Sequence, residues 1–383
     1  MHIIPRFYDN LGHFMKPARV TVLYGPRRVG KTTLVSHYIA SRDSVDGLLQ
    51  VTGDNIVVRD LFHSQNLSKL LAWAEGKDTI FIDEAQRIPG VGWGLKILID
   101  TRPELVIIAT GSASFDIASK LGEPLTGRQT PLQLFPIALL ELRTQLNAYE
   151  LQQKLADFLI YGMYPEVRTA QTAKDKRFIL KELVSSYLFR DILEIDRIKH
   201  SHLLKDLLTL VALQVGSEVS LNELANRLHI DTKTVARYLD LFEKSFILYN
   251  IRGFSRNLRS EVTRTSKYYF YDTGVRNALI DNFNPPEKRN DLGGLWENFA
   301  VMELLKTRSY HALGGHLYFW RTWEQQEIDI IEDRGGKLYA YECKWNNAAV
   351  RKHSAPSQFR QAYPTASYTV VTPANLLKII APQ

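Results

Sequence analysis

Apolar positions in this chain follow two spacings, and the changes between them predict its elements. RVTVLY (19–24), TIFID (79–83) and LVIIAT (105–110) are short apolar or β-branched runs, the pattern of strands buried in a parallel sheet. QTPLQL (129–134) reads as a further strand. TLVSHYIAS, after the first run, takes helical spacing, and SFDIASKLGEPLTGR (114–128) reads as a helix ending at Gly127 and Arg128. From 137 to 215 the pattern is mostly helical, clearest in KELVSSYLFRDILEI and HLLKDLLTLVALQV. In SLNELANRLHIDTKTVARYLDLFEKSFILYNI (220–251), Ser220 and Glu223 form a capping box, and Leu221, Leu224, Ala225 and Leu228 give one apolar face. Asp231 then caps a second helix that buries Val235, Leu239 and Phe242, which is helix-turn-helix logic. The prolines, glycines and charges of DNFNPPEKRNDLGG (281–294) suit an exposed linker, and no repeat or low-complexity tract appears.

Strand periodicity returns in EIDIIEDRGGKLYAYECKW (327–345), where Gly335 and Gly336 predict a two-residue turn. Asp329 then lies opposite Glu342, and Glu327 opposite Lys344. All four share one face, with Ile328, Ile330, Tyr341 and Cys343 on the other. Two facing carboxylates destabilise a hairpin unless a positive group sits between them. A divalent ion such as magnesium meets that need and keeps waters for chemistry. Lys344 would orient or deprotonate the attacking water, or stabilise charge on a scissile phosphate. The plainer reading is a row of solvated, alternating charges on an edge strand.

Composition narrows the class. A chain of 383 residues predicts two to four domains, and no apolar run approaches the roughly 18 residues a membrane span needs. The opening MHIIPRFYDNLGHFMK lacks the basic-then-apolar layout of a secretory signal, so a cytoplasmic protein with no membrane partner is expected. Cys343 is the single cysteine, which excludes an internal disulfide and a thiolate zinc cluster. The net charge of +7 is compatible with a polyanionic partner without requiring one.

The most specific chemistry lies at GPRRVGKTT, between the first strand and the helix that follows it, which is the context of a P-loop. Gly25, Pro26, Arg27, Arg28, Val29, Gly30, Lys31, Thr32 and Thr33 are the candidate nucleotide-binding residues. The glycines let backbone amides curl round phosphate, Lys31 reaches the β/γ-phosphates, and Thr32 holds magnesium. TIFIDE ends in two acids at the active edge of such a sheet: Asp83 would position magnesium and Glu84 would polarise the attacking water. Thr110 and Ser112, ending the third strand, are placed to orient that water, although a plain turn at Gly111 would look the same. Arg128 could be the finger that stabilises transferred charge, or a partner in a surface salt bridge. It would serve a neighbour only in a ring or dimer, so homo-oligomerisation stays open.

GPRRVGKTT, FIDEAQ, ATGS and LTGR, in this order, resemble archaeal and bacterial ATPases of the AAA+ type, those pairing an AAA_14 module with a DUF4143 module. YGMYPEV, YLFRDIL, YFYDTGVRNAL and LWENFAVMEL are similar to further stretches of that family, so the resemblance spans nearly the whole chain. It implies a multidomain α/β fold. Residues 1–136 would be a P-loop ATPase with a parallel sheet and flanking helices, and 137–215 a helical lid or connector. Residues 216–280 would be a winged helix, and 281–383 a restriction-endonuclease-like α/β domain. The hairpin acids followed by Glu-x-Lys are similar to the PD-(D/E)XK nuclease core, whose usual companion is a glutamate on a preceding helix, here Glu297. Glu297, Asp329 and Glu342 are then the expected ligands of magnesium or manganese, with Lys344 catalytic. For Glu297 the plain alternative is a first-turn glutamate favoured by the helix dipole. A glycine usually precedes the Glu-x-Asp unit, and Gln326 stands there instead.

Lys233, Thr234 and Arg237 on the second helix, with Arg252, Arg256 and Arg259 in a basic hairpin that also carries Arg264 and Lys267, are the expected DNA contacts. The same fold also serves protein contacts. The expectation is an ATP-hydrolysing, DNA-acting protein with ATP and magnesium as cofactors. Its rivals are a DNA remodeller whose terminal domain only binds, and a nucleotide-controlled signalling switch.

Overall fold

The strand-like runs near the N-terminus form a parallel sheet in a computed structural model that describes residues 4–42, 44–112, 125–187, 201–255, 266–348 and 353–381. Its strands are β1 (Val20–Tyr24), β2 (Leu48–Thr52), β3 (Thr79–Asp83), β4 (Val106–Gly111) and β5 (Gln129–Gln133), in the order β2-β3-β4-β1-β5. The residues of β2 carry no strand spacing that marks them in the sequence. Edge position explains how β5 tolerates Pro131, which cannot donate to a ladder. Helix Val91–Thr101 lays Val91, Leu95, Leu98 and Ile99 against Ile80, Ile82, Ile107 and Ala109 of the strands, in a core shared with Val20 and Val22. Each such side chain contributes about 1.5–3 kcal/mol when fully buried. This unit comprises Ile3–Phe135 with Lys244–Phe246. The helix expected over 114–128 falls largely outside the described residues, as does most of YLFRDIL.

The second unit is built from Pro136–Glu243 and Ile247–Gln383. Its helical part includes Ala148–Tyr161, Ala173–Glu182 and Ser201–Leu213, where helical spacing was expected. Ser220 accepts the Glu223 N–H at 3.3 Å to start helix Leu221–Leu228, and Asp231 accepts the Thr234 N–H at 2.8 Å to start Thr232–Lys244. Val235, Leu239 and Phe242 are buried as predicted, whereas Leu221 is 37% exposed.

The unit's sheet contains β6 (Glu218–Val219), β7 (Leu248–Gly253), β8 (Ser266–Phe270), β9 (His316–Arg321), β10 (Glu327–Arg334), β11 (Lys337–Cys343) and β12 (Ser367–Val371). Their order is β12-β11-β10-β9-β7-β8-β6. The β7–β9 pairing (Arg252 with Tyr318) puts stretches 216–280 and 281–383 in one sheet. The stretch that reads as an exposed linker is pinned. Arg289 and Arg276 both pair with Asp291, Arg289 at 2.8 Å, and Arg276 also donates to the Ala212 carbonyl at 2.8 Å. Removing one partner from a buried pair costs about 3–5 kcal/mol, so this knot fixes the segment firmly.

Gly335 and Gly336, at φ 58° and 77°, make the predicted turn, and Ile330 pairs with Tyr341 in the predicted register. The alternation of faces does not hold along β10. The ladder to β9 slips between Ile328 and Ile331, so these two enter one apolar cluster with Ala340 and Phe359. Ahead of β10 the left-handed turn residue is Gln325, at φ 64°, one place before Gln326, where the family pattern has glycine.

Helix Leu292–Tyr310 is bound to this sheet by three consecutive residues. Trp296 Nε1 donates to the Val371 carbonyl at 3.2 Å, Glu297 meets Lys267 and Tyr269, and Asn298 bonds both the N–H and the carbonyl of Phe270. The Asn298 amide thereby stands in for a neighbouring strand.

Candidate functional site

In the first unit, β4 lies between β1 and β3, so the C-terminal ends of three adjacent strands converge. Gly25 closes tightly against the chain just past β5: a Cβ there would sit 2.0 Å from the Leu134 carbonyl oxygen. Pro26 and Val29 are buried, Arg27 and Arg28 half-buried, and Gly30 in the left-handed region opens helix Lys31–Ala40. Lys31, 8% exposed, donates to the carbonyls of Gly25 and Pro26 at 2.9 and 2.7 Å. Thr32 Oγ1 lies 3.2 and 3.1 Å from the two Asp83 oxygens, and Thr33 is exposed on the next helical position. A hydroxyl beside a carboxylate suits a magnesium ion, which takes hard oxygen donors.

Thr110 donates to Asp83 and accepts the Glu84 N–H at 3.3 Å, so β4 orients both acids. Glu84 leaves β3 at φ 51°. Its carboxylate accepts from Gln86 Nε2, which also lies 3.2 Å from Ser112 Oγ. Two contributors escaped the motif analysis. Gln86 was visible only as the last letter of FIDEAQ. Arg6 gave no signal, yet its guanidinium donates to the Val29 carbonyl in the P-loop and to the Phe135 carbonyl at 2.6 Å.

Arg128 precedes β5, which runs parallel to β1 with Gln129 beside Val20, so it sits at the edge opposite this chain's own P-loop. Its Nε pairs with Asp100 at 2.6 Å, both partners being about 40% exposed, which is the surface salt bridge of the plainer reading.

In the second unit the hairpin acids and Glu297 come together, but their partners differ from those expected. Lys267, expected on an exposed basic hairpin, is 1% exposed, and its Nζ lies 3.1 Å from Glu297 Oε1 and 2.5 Å from Glu327 Oε1. The Tyr269 hydroxyl donates to the same Glu297 oxygen at 2.5 Å. Lys344 pairs with Glu342 at 2.6 Å, not with Glu327. Asp329 Oδ2 accepts the Cys343 N–H at 2.7 Å. Among the described residues, no group of three or more His, Cys, Asp or Glu side chains is arranged to hold a metal ion. The expected three-carboxylate set of Glu297, Asp329 and Glu342 therefore does not close into a cage, because Lys267 and Tyr269 engage Glu297. Asp329 and Glu342 still fit a hard cation: burial first, then the charge of Glu342, pushes the Asp329 pKa up to about 6.

Burial, then the charge of Asp329, pushes Glu297 from 4.5 up to about 8. The folded chain therefore binds more protons than the unfolded one between those values. The stabilisation is complete below pH 4.5 and lost as pH rises through about 8. Melting temperature should fall from pH 6 to pH 9, and Glu297→Gln should flatten that slope in a thermal-shift series. An unchanged slope would reject the assignment.

Of the expected DNA contacts, Lys233, Arg237 and Arg252 are exposed. Thr234 is half-buried, with its hydroxyl donating to Asp231 at 2.7 Å. Arg256 and Arg259 lie outside the described residues. No helix among the described residues is long and apolar enough to cross a membrane.

An AAA domain model matches residues 17–143. Two models described as domains of unknown function, DUF8612 and DUF4143, match 152–286 and 292–379. An uncharacterized protein of Mycobacterium tuberculosis is 29% identical over 332 residues, covering 85% of this chain and 70% of the relative. One from Haemophilus influenzae is 25% identical over 359 residues, covering 87% and 84%. One from Methanocaldococcus jannaschii is 23% identical over 305 residues, covering 75% and 67%. The chain thus carries an AAA domain followed by a DUF4143 domain, and the former points to a nucleotide-binding ATPase using magnesium.

Proposed function

We propose that this chain is an ATP-hydrolysing, DNA-acting protein whose C-terminal part cleaves phosphodiester bonds with a divalent metal. Residues 17–143 bind ATP through the P-loop. Lys31 turns from its loop carbonyls to the β/γ-phosphates, Thr32 and Asp83 hold magnesium, and Glu84, steadied by Gln86, takes the proton of the attacking water. Residues 216–280 act as a winged helix, in which Lys233, Arg237 and Arg252, with Arg256 and Arg259, neutralise DNA phosphates. The region from 281 onward acts as a PD-(D/E)XK-like nuclease domain, in which Asp329 and Glu342 would hold a magnesium or manganese ion. That ion, when bound, supplies Lewis acidity and an acidified water. Lys344 orients that water or meets the charge on the phosphate.

The observation that carries this reading is the meeting of Asp329 and Glu342 at one end of the hairpin, with an ammonium 2.6 Å from Glu342. Fluorescence anisotropy with labelled duplex DNA tests it. Affinity should fall steeply with salt, and neutralising Lys233, Arg237 and Arg252 together should weaken binding and reduce the salt slope by about three. Binding indifferent to both would remove DNA from the account. The second reading, a DNA remodeller or signalling switch with a non-catalytic terminal domain, is favoured by Lys267 standing among the acids.

A further inference from the structure

We infer that Lys267 is a resident cation that takes Glu297 and Glu327 out of metal ligation, so that the acid cluster binds one divalent ion, through Asp329 and Glu342, and not two. This rests on the reading that the cluster is a metal site.

The difference between the two lysines carries the inference. Lys267 is fixed: it lies on β8, paired to Ile251 of β7 on one side and to Glu218 of β6 on the other. Its side chain is 1% exposed, and its ammonium contacts Glu297 and Glu327 at 3.1 and 2.5 Å and lies over the Phe319 ring at 5.5 Å. With Tyr269 also on Glu297 Oε1 at 2.5 Å, an ion bound to that oxygen would have an ammonium and a hydroxyl proton as immediate neighbours. Lys344, by contrast, is 35% exposed and follows the last residue of β11, so it can turn away from Glu342. Without Lys267 both Glu297 and Glu327 lose the ammonium that holds them, which makes room for a second ion.

Manganese titration of the full chain, followed by calorimetry and by the electron paramagnetic resonance signal of free manganese, counts the ions. Asp83→Asn throughout silences the P-loop ion site. The expected stoichiometry is one ion per chain with Lys267 or Lys267→Arg, and two with Lys267→Met. Glu297→Gln should still bind one, and Glu342→Gln none. Two ions with Lys267 in place, loss of the ion in Glu297→Gln, or a single ion in a folded Lys267→Met chain would overturn the inference. The Glu297→Gln result decides even where Lys267→Met does not fold. No uptake by any variant would reject the metal reading itself, and the inference with it.

Discussion

Replacing Glu84 with glutamine lowers the turnover number for ATP hydrolysis about 100- to 10,000-fold while leaving ATP affinity within about threefold, because general-base contributions are of that size. The positions of the neighbours make the two effects separable. In the proposed site phosphate and magnesium binding fall to the P-loop amides, Lys31, Thr32 and Asp83, whereas Glu84 is held by its own strand end, by Thr110 and by Gln86. Glutamine preserves shape and hydrogen bonding but cannot accept the proton of water. Rapid-quench turnover with a parallel nucleotide-binding titration distinguishes this from a folding defect. A variant that still turns over at the parental rate would move the base elsewhere, and one that no longer binds ATP would make Glu84 a structural residue.

The Glu342→Ala substitution should reduce manganese-dependent cleavage of linear and branched DNA at least about 100-fold, comparable with the loss of other groups that stabilise transition-state charge. Glu342 is 14% exposed, and besides facing Asp329 it pairs with Lys344, so its removal would take away a ligand of the proposed ion and free that ammonium. The proposed DNA binding through Lys233, Arg237 and Arg252 should survive, since those residues lie on other elements. Gel analysis of products, with and without ATP, separates the readings. Cleavage by the parent and not by the variant supports a nuclease. Equal cleavage by both would assign it to another site or a contaminant, and none by either favours the non-catalytic reading.

Local signals were legible wherever chemistry and chain geometry coincide within a few residues. The P-loop needs a strand before it and a helix after it, and both flanks are readable from spacing. The hairpin register follows from two adjacent glycines alone. Other features depend on what lies across the fold. The strict two-residue alternation of β10 fails at a bulge imposed by β9, and nothing in EIDIIEDR signals a bulge. Lys267 belongs to a run of basic residues that looks solvated, and only the pairing of β8 between β6 and β7 shows that it is enclosed. From its place after a glycine Arg128 reads equally as a finger or as a salt-bridge partner. Strand direction, with β5 parallel to β1, puts it at the far edge. Arg6 and Gln86 act through carbonyls and amides distant in sequence or hidden inside a motif, which composition does not reveal.

Phosphate release from ATP by the pure chain in magnesium, measured with and without duplex DNA and beside Lys31→Ala, tests the union of the two activities most directly. Turnover should rise when DNA is added and disappear in Lys31→Ala. Turnover that is indifferent to DNA, or that persists in Lys31→Ala, would contradict that union.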